Sequence, residues 1–375
     1  MKHIYLHIPF CRKACNYCDF HFSTSLAHKP ALLAAMHHEI GLQANYLQRE
    51  PVSSVYFGGG TPSLLTANEI NAFFATLRQH HTILPTAELT LEANPDDLTD
   101  AYLAALQTTP INRLSIGIQS FSNADLLWFN RAHNAADAET VVQRALHYGY
   151  HNLSLDLIYG SPTTSDEQWQ RNLDTVAATS VAHLSCYALT VEPKTALASQ
   201  IKKGQAPQVQ DETAERHWRI LQDWLPASGF EQYEISNFAR SEKYAQHNTS
   251  YWQGDAYLGI GPAAHSFNGD SRQWNIAHNA KYIQGLQDAK IPFTQEILSE
   301  RDKVNEYIMT ALRTKWGVNL AHPLLIATPE TVENILYDSQ IFQQNNWLTL
   351  TNNTLLLTHE GKLYADTIAS NLFVD

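Results

Sequence analysis

Three of the four cysteines in this 375-residue chain lie in one short segment, Cys11-Arg12-Lys13-Ala14-Cys15-Asn16-Tyr17-Cys18, which continues as Asp19-Phe20. Their spacing is i, i+4 and i+7. Thiolates are soft ligands that select iron–sulfur clusters, zinc or copper(I). A structural zinc site takes four ligands, and a cubane 4Fe–4S cluster ordinarily takes four cysteines. Three thiols leave one coordination position open, and an open position is a place for chemistry. His21 offers a fourth ligand, which would make the segment a zinc knuckle instead. Four cysteines in a chain of this length match the usage of a reducing compartment, so a disulfide is not expected.

Further along, an apolar run enters three glycines: Val55-Tyr56-Phe57-Gly58-Gly59-Gly60-Thr61-Pro62. Glycine has no Cβ, so such a turn lets backbone approach a ligand closely. Polar residues close other apolar runs. Glu92 ends one and is stopped by Ala93-Asn94-Pro95, and Gln119 follows Leu114-Ser115-Ile116-Gly117-Ile118. Asp156 sits inside Leu153-Ser154-Leu155-Asp156-Leu157-Ile158, where a buried carboxylate is costly unless it is paired or binds something. A carboxylate there can accept hydrogen bonds from both ribose hydroxyls of a nucleoside. Arg131 can grip a ligand carboxylate in bidentate fashion. His247-Asn248-Thr249-Ser250-Tyr251-Trp252 offers an imidazole and a phenol beside aromatics, Tyr257 and Phe267 follow, and His265 is a second imidazole in a glycine-rich segment. The fourth cysteine, Cys186, reads as a small core residue.

The elements that must position these residues follow an alternating pattern. Strands are expected over 3–8, 54–57, 88–92, 113–118, 152–158 and 182–187, with helices over 30–47, 98–106, 136–148, 166–178 and 211–225. That alternation is the signature of a parallel α/β fold. Residues 226–290 lose the rhythm and are rich in aromatics, Gly, Asn and His. From 291 helices are expected over 301–313, 329–343 and 358–368, with a hairpin of 348–350 and 354–357 around Asn352-Asn353. These read as a small winged-helix-like α+β domain. The expected domains are therefore 1–225, 226–290 and 291–375. A hydrophobic fraction of 44% suits a sizeable core, and a formal charge of −12 disfavours nucleic acid as a partner. No signal peptide or membrane-spanning run is expected, which points to the cytoplasm.

The CxxxCxYC segment after an N-terminal strand, with GGGTP after the next strand, resembles the radical S-adenosylmethionine (SAM) superfamily. Along essentially the whole chain, the order of motifs resembles the branch that holds oxygen-independent coproporphyrinogen III oxidases and heme chaperones. The resemblance implies a partial, TIM-like (β/α)6 barrel, with the site at the C-terminal ends of the strands. It implies Cys11, Cys15 and Cys18 as ligands of a 4Fe–4S cluster whose open iron holds SAM. Tyr5, Gly59, Gly60, Thr61, Glu92, Gln119, Arg131 and Asp156 would line the SAM site. In this family chemistry the reduced cluster can cleave SAM to methionine and a 5′-deoxyadenosyl radical. Within the branch, Phe20 stands where the oxidases carry a further cysteine, and the strand pattern starting at His3 leaves no place for the oxidases' N-terminal extension. His247-Asn248 and Tyr251 match the HNxxY motif associated with heme in the chaperones, which implies His247 or Tyr251 as axial ligand to heme iron, His265 as an alternative, and Trp252, Tyr257 and Phe267 as flat surface for the porphyrin. The implied function is a heme chaperone that binds heme and delivers it to hemoproteins such as respiratory enzymes. Its partners would be heme, a recipient hemoprotein at or near a membrane, and an electron donor to the cluster. The chain would act as a monomer or a cluster-dependent dimer. An oxidase that decarboxylates coproporphyrinogen III is the alternative.

Overall fold

Six strands run parallel in chain order: β1 (Lys2–Ile8), β2 (Val52–Gly59), β3 (Ile83–Ala93), β4 (Arg113–Gln119), β5 (Leu153–Tyr159) and β6 (His183–Ala188). The computed structural model describes residues 1–327 and 329–374. Crossover helices are α1 (Lys29–Leu42), α2 (Ala67–His80), α3 (Asp100–Leu106), the pair α4 (Asn123–Trp128) and α5 (Ala135–His147), and α6 (Asp166–Ala177). This is the expected α/β partial barrel, open because β1 and β6 do not pair. The sequence reading passes over α2, although its start is marked. Thr66 and Glu69 form a reciprocal capping box, and Ile70, Phe73, Phe74 and Leu77 share its buried face. Helix α1, expected to reach 47, stops at Leu42; Gln48 and Arg49 lie in the turns that follow, at φ 52° and 59°.

Side chains alternate across a strand, and here the alternation separates two chemistries. Ile4, Leu6, Val55, Phe57, Leu89, Leu91, Leu114, Ile116, Leu155, Leu184 and Cys186 join the apolar core. The residues between them are polar: Tyr5 and His7 on β1, Ser54 and Tyr56 on β2, Glu88 and Glu92 on β3, Arg113 and Ser115 on β4, Asp156 on β5 and Ser185 on β6. Many barrels fill their interior with branched apolar side chains. A polar column is kept here instead, and it is the wall of the site described below.

After β6 the chain forms α7 (Ala196–Lys202) and α8 (Asp211–Ser228), which ends at Gly229 with φ 74°. A short hairpin, β7 (Glu231–Gln232) and β8 (Asn237–Ala239), adds antiparallel to the β6 edge. Helix α9 (Gln246–Trp252) then leads to β9 (Ala256–Ile260), which lies parallel beside β1 at the other edge. Beyond it come β10 (His265–Phe267), β11 (Ser271–Asn275), α10 (Asn279–Gln287) and β12 (Phe293–Ile297), completing a 12-stranded sheet. Residues 226–290 thus extend both edges of the barrel sheet, and Phe230, Phe238, Leu258, Ile260 and Tyr282 share its core. The C-terminal unit is α11 (Glu300–Leu312), β13 (Val318–Asn319), α12 (Pro323–Ile326), α13 (Pro329–Gln344), β14 (Leu348–Thr351), β15 (Thr354–Leu357) and α14 (Ala365–Asn371). It has its own three-stranded sheet and its own apolar cluster. Its hairpin turns at Asn352 and Asn353, at φ 48° and 65°, where asparagine is well tolerated. No helix among the described residues is long and apolar enough to cross a membrane.

One buried carboxyl ties α1 to the added edge. Glu39 accepts from Gly261 N–H at 2.8 Å, Asn275 Nδ2 at 2.6 Å and the Tyr282 hydroxyl. Burial pushes its carboxyl up to about 7. Removing it would leave three buried donors without their acceptor, each costing about 1–3 kcal/mol. Glu39→Ala is therefore expected to destabilise the chain by roughly 3 kcal/mol in urea unfolding, whereas a loss below about 1 kcal/mol would show the three donors finding other partners.

Candidate functional site

The cysteine segment has no regular secondary structure, so its shape comes from bonds to its neighbours. The Asn130 side chain donates to Ala14 O at 2.7 Å, Asn16 N–H to Phe129 O at 3.2 Å, and Asn16 Nδ2 to Trp128 O at 2.8 Å. Lys13 Nζ donates to Arg131 O at 3.0 Å. The loop is thereby laid on the connection between α4 and α5. At its other end Arg12 Nε meets Asp97 at 2.8 Å, and Asp97 also accepts from Ser63 Oγ at 2.8 Å. Gly60 allows the closest approach: a Cβ there would lie 2.7 Å from Phe10 O and 3.0 Å from Cys11 Sγ. Gly59 has φ +111°, a conformation that L side chains rarely adopt.

Cys11, Cys15 and Cys18 line one cavity of about 560 Å³ at the C-terminal ends of the strands. Burial raises the thiols of Cys11 and Cys18, the latter to about 11. Among the described residues no three His, Cys, Asp or Glu side chains converge closely enough to hold one metal ion. A cluster does not ask for such convergence, because each cysteine binds a separate iron. His21, the fourth ligand of the zinc alternative, bonds through Nε2 to Asn279 at 2.7 Å and stacks on His7.

The same cavity gathers Gly59, Gly60, Thr61, Glu92, Gln119, Arg131 and Asp156. Arg131 lies with Nη1 3.4 Å from Cys15 Sγ and donates from Nη2 to Asn94 Oδ1 at 2.6 Å and Gly117 O at 2.8 Å. Its Nε is buried without a partner among the described residues. Gln119 sits where the β4–β5 register shifts, with φ 66°, a strained conformation that the surrounding structure must hold. Tyr5 lies one layer away. It stacks on Tyr56 at 6.0 Å, bonds to His7 Nδ1 at 3.2 Å, and faces a second cavity, while Tyr56 faces the first. Sequence reasoning missed Tyr56, Asn94, Ser115, Ser185 and Asn248 as wall residues. The strand alternation marks Tyr56, Ser115 and Ser185; the HNxxY motif marks Asn248, though for the other cavity.

The HNxxY segment is α9, and it plugs the barrel. Glu88 accepts from the backbone N–H groups of Gln246 at 3.1 Å and His247 at 3.0 Å, capping the helix from β3. The His247 ring is 1% exposed and lies 5.0 Å from the Tyr56 ring. Its Nδ1 bonds to Ser54 Oγ at 2.6 Å and its Nε2 to the Tyr251 hydroxyl at 2.8 Å. Asn248 reaches the first cavity, whereas Tyr251 and Trp252 line the second. That second cavity, of about 850 Å³, lies between the β9–β11 edge and the C-terminal unit. Asp19 and Phe20 line both cavities.

Two carboxyls in the first cavity are held neutral for longer than usual. Glu92 accepts from the Tyr56 hydroxyl at 2.8 Å and Gly59 N–H at 3.2 Å, yet burial pushes it up to about 7. Burial likewise raises Asp156 to about 6, with Ser115 Oγ at 3.3 Å. With its pKa raised on folding, Glu92 binds more protons in the folded than in the unfolded chain between about pH 4.5 and 7, so stability falls as pH rises through that window. Glu92→Gln is expected to raise the stability of the ligand-free chain by up to roughly 3 kcal/mol at pH 8 and by little at pH 4.5. Thermal melts of both proteins across that range check this, and a difference independent of pH contradicts it.

The sequence pattern of the Radical SAM superfamily matches residues 5–176. The chain is 33% identical to a Mycobacterium tuberculosis protein named heme chaperone HemW, over 98% of this chain and 94% of that one. It is 30% identical to the Bacillus subtilis heme chaperone HemW, over 98% of each. Among solved structures, Escherichia coli coproporphyrinogen III oxidase (HemN), described as a radical SAM enzyme, superposes with a TM-score of 0.85 at 22% identity, covering 100% of this chain and 90% of that one. At that identity the likeness speaks for the fold alone. Identity above 30% along almost the entire length places the chain in the HemW family of the radical SAM superfamily.

Proposed function

We propose that this chain is a heme carrier that binds a 4Fe–4S cluster through Cys11, Cys15 and Cys18, binds SAM in the adjoining cavity, and passes heme to a recipient hemoprotein such as a respiratory enzyme. The observation that carries this reading is the pair of cavities on either side of the cysteine loop, one polar and thiol-lined, the other aromatic, sharing Asp19 and Phe20. When bound, the cluster would supply an open iron for the amino and carboxylate groups of SAM and an electron from a donor protein.

The chain's own residues have separable tasks. Gly59 and Gly60 let the second strand's turn close on the loop without a Cβ in the way. Arg131 keeps a positive charge beside Cys15, where a thiolate-ligated cluster would carry negative charge. Asp156, deep in the polar column, accepts from nucleoside hydroxyls, and Glu92 with Thr61 and Gln119 surrounds the rest of the ligand. Desolvation in such a cavity strengthens each of these bonds once made. The second cavity offers porphyrin-sized, flat aromatic walls in Tyr251, Tyr257 and Phe267.

Coproporphyrinogen oxidation is the competing reading, since a thiol-lined, polar ligand cavity would serve that chemistry as well. The test is an anaerobic assay of reconstituted, reduced protein with SAM and coproporphyrinogen III, beside a heme titration of the same sample. Heme binding with no decarboxylated product is expected; product formation would make the chain an oxidase. Cys11→Ala, Cys15→Ala and Cys18→Ala are each expected to lose the cluster's iron and sulfide while circular dichroism shows the barrel still folded. A normal cluster in any one of the three variants removes that cysteine from the ligand set.

A further inference from the structure

The HNxxY segment offers two familiar ligand types, but the structure commits both. His247 uses Nδ1 on Ser54 and Nε2 on Tyr251, and its backbone is capped by Glu88. Tyr251 spends its hydroxyl on that same imidazole. Of the other imidazoles on the second cavity, His7 is engaged at both nitrogens, by Tyr5 and His21 O, whereas His21 (Nε2 to Asn279) and His322 (Nδ1 from Leu324 N–H) are each engaged at one, so the choice among them rests on what faces each ring. His265 stands exposed on the cavity wall, and no side-chain hydrogen bond to another described residue holds its ring.

We propose that heme is seated in the second cavity with His265, on β10, as the axial ligand to its iron, and with Arg272, on β11, receiving a propionate. This deepens the heme-carrier reading and rests on it. The antiparallel register places the necessary groups on one face. His265 lies opposite Trp274 and Phe267 opposite Arg272, and side chains two apart on a strand share a face. The His265 ring stacks on Trp274 with centroids 6.1 Å apart, which backs the imidazole from behind. Arg272 lies over Phe267, 5.7 Å from the ring centroid, and pairs with Glu306 at 2.9 Å, while its Nε is buried without a partner among the described residues. A guanidinium with a free N–H beside an aromatic floor suits a porphyrin's carboxylate edge. The opposite wall is α11 of the C-terminal unit, which places the bound heme at the junction between the barrel sheet and that unit.

The test is an anaerobic heme titration of the full chain, cluster reconstituted, followed through the Soret band for wild type, His265→Ala and Arg272→Gln. Expected are a shifted Soret maximum and at least tenfold weaker binding in His265→Ala, with its cluster iron unchanged. Added imidazole should restore the wild-type spectrum, a rescue that a merely structural role would not give. Arg272→Gln should weaken heme severalfold, and should bind heme dimethyl ester, which lacks free carboxylates, as well as wild type does. Wild-type binding with an unaltered Soret band and affinity in His265→Ala overturns this assignment and leaves the carrier reading standing. No heme binding by wild type overturns both.

Discussion

A loop without secondary structure carries three cysteines, and its shape depends on contacts made from outside it. Backbone–backbone ladders cannot supply the rigidity, so it comes from side chains and from neighbouring turns. Asn16, Asn130 and Lys13 sew one end of the loop to the connection after α4, and Arg12 with Asp97 and Ser63 fixes the other. Gly60 lets the β2 turn press against Phe10 and Cys11. Ser63 and Asp97 follow the ends of β2 and β3, while residues 128–131 close α4, so the loop is held by the sheet at one end and by a crossover helix at the other.

The barrel interior beside it is polar. Glu92 and Asp156 are buried where water is scarce, and both carboxyls are pushed upward by that burial. Arg113, buried beside Glu88 at 3.8 Å, and Arg131 offset part of the charge. Such an interior is less stable than an apolar filling would be, and the difference is held by the apolar faces of the same strands against their helices. Helix α9 completes the arrangement. Capped by Glu88 and locked through His247 to Ser54, it plugs the barrel and presents Asn248 to one cavity and Tyr251 to the other.

Much of this was legible from spacing and period. The cysteine triplet, the glycine turn and the polar strand ends stood out because chemistry and periodicity conflict there: a carboxylate within Leu153–Tyr159, or three glycines after an apolar run. The parallel core followed from alternating strands and helices, and α2 was available from its capping box. What could not be read was how residues after 226 return to both edges of the sheet, since a strand such as Ala256–Ile260 carries no mark of the partner it will find. Residue type alone also could not tell a committed imidazole from an exposed one. Both His247 and His265 are imidazoles among aromatics in the sequence, and only tertiary packing buries the first between two partners and leaves the second exposed on a cavity wall. Phe20 was noted for what it replaces, whereas in the structure it is 70% exposed and lines both cavities, joining the cysteine loop to the second one.

The loop and the cavity beside it are proposed to act as one site, with a cluster on three thiols and SAM on its open iron. Electron paramagnetic resonance of the reduced, reconstituted protein with and without SAM tests this most directly. The expected result is a 4Fe–4S signal whose line shape changes on adding SAM in wild type and is unresponsive to SAM in Asp156→Ala. A signal indifferent to SAM in wild type, or a chain that takes up one zinc in place of a cluster, would contradict it.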